Sequence, residues 1–111
     1  MPKITALRLN KDFRRLYGHG KSKAHPLMVT YSLRNRLGLK RIGITASKKV
    51  GDAVHRNRAR RLIKEAYRLL EPGVPTGWDF VFVARKAAAE KTVKMRDVMA
   101  VMEKQIKTCT G

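Results

Sequence analysis

The chain has 111 residues, of which 43% are hydrophobic. This length suits one domain over residues 1–111 and excludes a second full core, and the hydrophobic content excludes a chain that is disordered throughout. Twenty-six Lys and Arg against eight Asp and Glu give a formal net charge of +18, which a polyanion at close range offsets best. Nucleic acid or an anionic membrane surface is therefore the indicated partner.

The sequence carries no pattern typical of membrane insertion or secretion. It has no run of about 18 apolar residues that could span a bilayer, and its first residues, MPKITALRLNKDF, lack the apolar core of a signal peptide. Cys109 is the single cysteine, which excludes an internal disulfide and a multi-cysteine zinc site. We therefore expect a soluble protein of the reducing cytoplasm that does not act at a membrane.

A short helix is predicted first, with Asn10 as its N-cap and its body over residues 11–17. Its apolar stripe consists of Phe13, Leu16 and Tyr17, at positions i, i+3 and i+4. Gly18 and Gly20 then allow the helix to stop and the chain to change direction.

Two strands are predicted next, at residues 27–33 and 41–46. The segment 34–39 between them is polar and contains a glycine, which is typical of a hairpin loop. We therefore expect these two strands to pair with each other. An additional strand pairing within residues 21–33 stays open.

The strongest helical pattern spans residues 53–70. Its apolar stripe is formed by Ala59, Leu62, Ile63, Ala66, Tyr67 and Leu70. A buried strand at 78–84 and a last helix at 92–107 complete an α-β-β-α-β-α order. The strand–helix–strand unit across 41–84 indicates a parallel crossover, which general physics predicts to be right-handed.

The helix predicted at 53–70 also carries the clearest functional pattern. Basic residues recur at every fourth position away from its apolar stripe: Arg56, Arg60, Lys64 and Arg68. Asn57 and Arg61 flank them, and a guanidinium binds phosphate with two parallel hydrogen bonds and stacks on bases. Because like charges at this spacing destabilise a free helix and only Glu65 interrupts them, a polyanion ligand is favoured over a merely solvated charged face.

Residues 47–68 closely resemble the RNR signature of the bacterial ribonuclease P protein family. The matching segments are Lys48-Lys49-Val50-Gly51, Arg56-Asn57-Arg58 and Arg60-Arg61-Leu62-Ile63-Lys64. Further landmarks occur in the family's order: Leu7-Arg8-Leu9, Asp12-Phe13, Gly18-His19-Gly20, Ile42-Gly43-Ile44, Asp79-Phe80-Val81 and Ala84-Arg85. The likeness extends from Leu7 to about Lys107, and an ordered set of this size is far more specific than a single RNR triplet.

The resemblance implies an α+β fold, a single-domain α-β-β-β-α-β-α sandwich with a mixed sheet packed by helices. It also implies a left-handed β-α-β crossover, against the general preference. The function implied is that of the protein subunit of ribonuclease P, an endoribonuclease that removes the 5′ leader of precursor tRNA. The RNA subunit would be catalytic, Mg²⁺ would be bound mainly by that RNA and the substrate, and the protein alone would be inactive. No protein partner would be required.

The resemblance also assigns two sets of residues. Those expected to bind the catalytic RNA are Arg56, Asn57, Arg58, Arg60, Arg61, Lys64 and Arg68. Those expected to bind the precursor-tRNA leader are Phe13, Tyr17, Tyr31, Lys48 and Lys86. Aromatic faces stack on unpaired bases with little sequence preference. From the pattern alone, however, Phe13 and Tyr31 suit core positions equally well, and Trp78 and Phe80 are expected in the core.

The sequence shows no evident catalytic set. The eight acids are dispersed, and His19, His25 and His55 lack the spacing of a zinc motif. We therefore assign no catalytic and no metal-binding residue. Two rival functions stay open: a non-catalytic ribosomal or chaperone-like RNA-binding protein, and a membrane-active basic protein.

Overall fold

The computed structural model describes residues 5–110, so the ends of the predicted domain, residues 1–4 and Gly111, lie outside the described part. The strands described are β1 Thr5–Ala6, β2 Lys21–Ala24, β3 Met28–Arg34, β4 Lys40–Thr45 and β5 Trp78–Ala84. The α-helices are α1 Asn10–His19, α2 Ala53–Leu70 and α3 Met95–Thr110. Short 3-10 turns follow β4, α2 and β5, at Lys48–Val50, Glu71–Gly73 and Lys86–Ala89. The α+β class implied by the resemblance is confirmed.

The strands form one mixed sheet in the order β1-β4-β5-β3-β2. The central strand, β5, runs antiparallel to β3 and parallel to β4. The predicted direct pairing of β3 with β4 is therefore wrong. β5 contains Phe80, Val81 and Phe82, which are all fully buried. A strand buried on both faces has no water to bind its backbone, so β5 takes the position in which both of its edges are paired.

Side-chain alternation gives the sheet two different faces. The larger core lies between the sheet and helices α2 and α3, and its largest buried side chains include Tyr67, Phe80, Phe82 and Ile63. A smaller cluster lies between the opposite face and α1, and its buried members are Leu7, Leu16 and Val81. α1 is therefore attached to the sheet by far fewer apolar contacts than the other two helices.

Most predicted boundaries agree closely with the structure. α2 and β5 begin and end where the sequence predicts, whereas α3 begins at Met95 and extends to Thr110. The strand pairing left open within residues 21–33 exists: β2 pairs antiparallel with β3. The predicted N-cap of α1 is wrong by one residue, because Leu9 occupies that position and gives no side-chain cap. β1, only two residues long, was not predicted.

Two further expectations concern the crossover and the aromatic residues. β4 and β5 are parallel and are connected through α2, as predicted, while the left-handed sense of this crossover stays a prediction.

Phe80 lies in the core as expected. Trp78 is only half-buried, and the guanidinium of Arg34 stands 5.4 Å from its ring centroid, within the range of a cation–π contact.

A buried polar network attaches α3 to the sheet. The side-chain oxygen of Gln105, which is 3% exposed, accepts a hydrogen bond from the Thr30 hydroxyl at 2.7 Å. Its side-chain nitrogen donates to the backbone oxygens of Lys23 and Met28 at 2.9 and 3.0 Å. Because buried polar groups must be paired, these three bonds determine how α3 is placed against β2 and β3.

We predict that Gln105→Ala lowers the free energy of unfolding by about 2–3 kcal/mol, because the buried Thr30 hydroxyl loses its partner. The control is Lys104→Ala at the exposed neighbouring position, which should change this free energy by less than about 0.5 kcal/mol. Urea unfolding followed by circular dichroism measures both variants. Equal effects of the two substitutions would contradict the role given to Gln105.

Candidate nucleic-acid interface

Helix α2 has one buried face and one exposed face. Its N-cap is Asp52, whose carboxylate accepts a hydrogen bond from the His55 backbone N–H at 3.0 Å and lies 2.7 Å from His55 Nδ1. The backbone bond, followed by the contact with the ring, lowers the pKa of Asp52. The side chains buried against the core are Ala59, Ile63, Ala66 and Tyr67. The predicted RNA-binding residues therefore lie on the flanks and the outer face of this helix.

Two of the predicted arginines are held on opposite flanks of α2 by backbone carbonyl groups. Arg60 Nη2 donates to the Ala46 oxygen at 3.3 Å, and its Nη1 donates to Asn57 Oδ1 at 3.3 Å. On the other flank, Arg58 is half-buried, and its Nη2 donates to the Val93 oxygen at 3.2 Å. Arg58 thereby links α2 to the segment before α3, a structural contact that the sequence pattern does not indicate.

The outer face of α2 carries four exposed members of the predicted set, which are Asn57, Arg61, Lys64 and Arg68. Within residues 5–110, the side chains of Arg61 and Lys64 have no hydrogen-bond or ion-pair partner. Arg68 forms an exposed ion pair with Glu65 at 2.9 Å, which lowers the pKa of Glu65 and raises that of Arg68. Arg56 differs from these residues because it is half-buried and its Nε is enclosed without a partner.

The predicted leader-binding aromatic residues form a wall along α1 and β3. Tyr17 and Tyr31 meet edge to face, with ring centroids 4.9 Å apart and an interplanar angle of 83°. Tyr17 is 44% exposed, whereas Tyr31 is half-buried. Phe13 packs directly on the backbone of Gly43, where an added Cβ would lie 2.6 Å from the ring. Tyr17 therefore offers an accessible ring, while Phe13 serves partly as core.

Strand register defines the sheet surface beside this wall. On the sheet face that packs against α1, Val83 of β5 lies between Val29 of β3 and Thr45 of β4, and all three residues are only half-buried. Lys48 and Lys86 are exposed on the turns that follow β4 and β5. Because β4 and β5 are parallel, these lysines lie at the same end of the sheet. We call the surface formed by the aromatic wall, the three half-buried residues and the two lysines the leader groove, after the ligand that the resemblance predicts for it.

The outer face of α2 and the aromatic wall border the same cavity beside β1 and β4. This cavity, of about 360 Å³, is lined by residues that include Phe13, Gly43, Ile44 and Lys64. Sequence reasoning placed Lys64 only among the residues for the catalytic RNA, whereas the structure places it beside both predicted sites. The sequence reasoning also did not name Gly43 as a site residue, although a glycine inside a strand indicates close approach by another group.

Most of the described carboxylates form hydrogen bonds or ion pairs within the fold. Glu71 pairs with Lys40 at 2.8 Å, and Asp79 pairs with Arg41 at 2.7 Å. Among residues 5–110, no three His, Cys, Asp or Glu side chains come together in a way that could hold a metal ion. Mg²⁺ usually keeps several waters and binds through one or two carboxylates together with phosphates, so the Mg²⁺ that the resemblance implies, bound mainly by RNA and substrate, stays a prediction.

A family model described as Ribonuclease P matches residues 1–109. The ribonuclease P protein component of Clostridioides difficile (strain 630) is 49% identical over 89 residues, which cover 79% of this chain and 78% of the relative. The solved RNase P protein from Thermotoga maritima has a TM-score of 0.84 and 30% identity, covering 96% of this chain and 98% of that chain. A Staphylococcus aureus RNase P protein mutant with defective mRNA degradation activity has a TM-score of 0.83 and 30% identity, covering 95% and 87%. The chain therefore belongs to the ribonuclease P protein family.

Proposed function

We propose that this subunit of ribonuclease P binds the catalytic RNA with the outer face of α2 and the 5′ leader of precursor tRNA in the leader groove. The RNA subunit would carry out the hydrolysis. The observation that carries the proposal is the cavity beside β1 and β4, because it is lined both by Lys64 of the cationic helix and by Phe13 of the aromatic wall. One protein surface could therefore hold both RNAs side by side.

The leader groove has the chemistry that unpaired nucleotides require. The exposed ring of Tyr17 offers a stacking face, and stacking on an aromatic ring contributes about 1–3 kcal/mol per base with little sequence preference. Lys48 and Lys86, at the end of the groove, carry charges for the phosphates. A subunit that serves many precursor tRNAs needs such tolerance, because their leaders differ in sequence.

The outer face of α2 suits a folded RNA with dense phosphate charge. Arg61 and Lys64 are exposed and unpaired within the described chain, so phosphates can reach them and release counterions. Arg60 is already oriented by its bond to the Ala46 carbonyl, which reduces the entropy lost when its guanidinium binds. A ribosomal or chaperone-like RNA-binding role shares this cationic helix, but the matching family and relatives favour ribonuclease P.

We further propose that Mg²⁺ is bound mainly by the catalytic RNA and the substrate, where it would stabilise charge during phosphodiester hydrolysis. This chain would contribute binding and orientation. The cytoplasm is the proposed location, because the free thiol of Cys109 suits a reducing compartment. Separately, within residues 5–110 none of the helices has the length and apolar character needed to cross a membrane.

For the leader groove, we expect Tyr17→Ala to weaken binding of leader-bearing precursor tRNA about tenfold, because one stacking face is lost. Binding of tRNA without a leader should not change. Leu37→Ala is the control, since it removes another exposed apolar side chain, 54% exposed, from the loop between β3 and β4. Fluorescence anisotropy with the protein assembled on its catalytic RNA measures both affinities. Equal losses for the two tRNAs would contradict the proposed leader site.

For the outer face of α2, we expect Arg61→Ala to remove a footprint from the catalytic RNA. The slope of log affinity against log salt concentration should become shallower by about one, because one phosphate contact is lost. Arg96→Ala, at an exposed position on α3, makes the same change in net charge and should leave the footprint intact. Identical footprints for both variants and the unmodified protein would exclude Arg61 from the RNA interface.

If the RNA subunit carries out the hydrolysis, the purified protein should leave precursor tRNA intact when the catalytic RNA is absent. We expect this result because the acids of the protein are dispersed. An mRNA should be tested in the same assay, because an mRNA degradation activity is named for the Staphylococcus aureus protein. We expect the mRNA to stay intact as well. Gel analysis with and without Mg²⁺ measures cleavage, and the assembled ribonucleoprotein is the positive control. Cleavage of either RNA by the protein alone would contradict a purely accessory role.

A further inference from the structure

A buried ion cluster joins α1 to the centre of the sheet. Asp79 of β5 is fully buried, and Arg41 of β4 donates to both of its carboxylate oxygens, at 2.8 and 2.7 Å. Asn35, in the loop after β3, donates to Asp79 Oδ1 at 2.8 Å. Two residues of α1 complete the cluster. Arg15 Nη2 lies 3.9 Å from Asp79 Oδ2, and Asp12 Oδ2 lies 3.9 Å from Arg41 Nη1.

The pair of Arg41 and Asp79 does not depend on α1. Asp79 accepts three hydrogen bonds from Arg41 and Asn35, which belong to β4 and to the loop before it. The hydrogen bond to Asp79 is also the main reason that the pKa of Arg41 is raised. Asp12 also raises the pKa of Arg41, but less than Asp79 does. The Asp12 carboxylate, 14% exposed, serves as a contact between α1 and the sheet.

Apolar packing and a close backbone approach also determine the orientation of α1. Leu16 is the only buried residue of this helix. At the end of the helix, Gly20 approaches β3 so closely that an added Cβ would lie 2.7 Å from the Ser32 oxygen.

In the first turn of α1, Phe13 packs on the backbone of Gly43 in β4. The contact of Asp12 with Arg41 lies beside it and adds a charged contact with the sheet. Together with the packing of Phe13, this contact fixes the rotation of α1.

The charges around α1 make Asp12 hard to replace. Asp12 is the only acid in α1, whereas Lys11, Arg14 and Arg15 are basic. Without the Asp12 carboxylate, Arg41 would keep Asp79 as its acidic partner, but the charged contact between the first turn of α1 and β4 would be lost.

We propose that Asp12 is a positioning residue that acts through Arg41 to fix the rotation of α1, and so holds Tyr17 against Tyr31 in the leader groove. Asp12 itself touches no RNA. This inference rests on the proposed function, because the place of Tyr17 affects substrate binding only if the leader lies in the groove. The positioning role predicts that removal of the Asp12 charge weakens leader binding, whereas the gain in net positive charge alone would strengthen it.

Asp12→Asn tests the proposal, because it removes the charge and keeps the size of the side chain. A more positive protein should by itself bind RNA more tightly. We nevertheless expect about threefold to tenfold weaker binding of leader-bearing precursor tRNA to the assembled ribonucleoprotein. Affinity for tRNA without a leader should stay unchanged or rise slightly. The matched control, Glu103→Gln, removes the same charge from an exposed pair with Lys107 on α3 and should not weaken binding.

Combining Asp12→Asn with Tyr17→Ala separates positioning from a general loss of structure. If Asp12 acts through Tyr17, the loss caused by Asp12→Asn should fall below about twofold when Tyr17 is already Ala. Urea unfolding establishes that each variant is folded. The same loss in both backgrounds, or equal losses for tRNA with and without a leader, would overturn the positioning role.

The remaining outcomes separate this inference from the function on which it rests. If Tyr17→Ala weakens leader binding and Asp12→Asn does not, the positioning role is overturned and the leader groove stands. If Tyr17→Ala leaves leader binding unchanged, the proposed groove is wrong and the positioning role is overturned with it.

Discussion

Strand β5 is paired along both edges and buried on both faces, and its alternating side chains give the two sides of the sheet different chemistry. Phe80 and Phe82 point into the core with α2 and α3, while Asp79 and Val81 point toward α1. A shift of one residue would exchange these sets and place the Asp79 carboxylate in the apolar core without Arg41. The register of β5 therefore determines both the main core and the surface of the sheet on which α1 packs.

The scarce acids of this highly basic chain stand where the fold needs negative charge. Asp79 is buried beneath α1, Glu71 pairs with Lys40 after α2, and Asp52 caps the N-terminus of α2. Each of these three acids bonds locally, and on α2 itself Glu65 is paired with Arg68. The same arrangement that stabilises the fold thus leaves the proposed RNA surfaces positively charged.

The local sequence pattern was sufficient to predict part of the fold and part of the candidate site. The boundaries of α2 and β5 followed from apolar periodicity and from Pro and Gly after α2, because these are properties of neighbouring residues. Pairing was different. The loop at 34–39 suits a hairpin, yet β3 and β4 are separated by β5, because burying Phe80 and Phe82 outweighs the local preference for a hairpin. A turn pattern contains no information about a strand that arrives later in the chain.

The sequence by itself determined two properties that depend only on composition and spacing: the high net positive charge, which predicts a polyanionic ligand, and the cationic face of α2, which follows from its helical repeat. The tertiary structure alone decided which residues of each set are accessible. It placed Arg58 against the Val93 carbonyl, Phe13 on Gly43, and Lys64 beside the aromatic wall. Each of these contacts joins residues far apart in the chain, and the packing that brings them together exists only in the assembled fold.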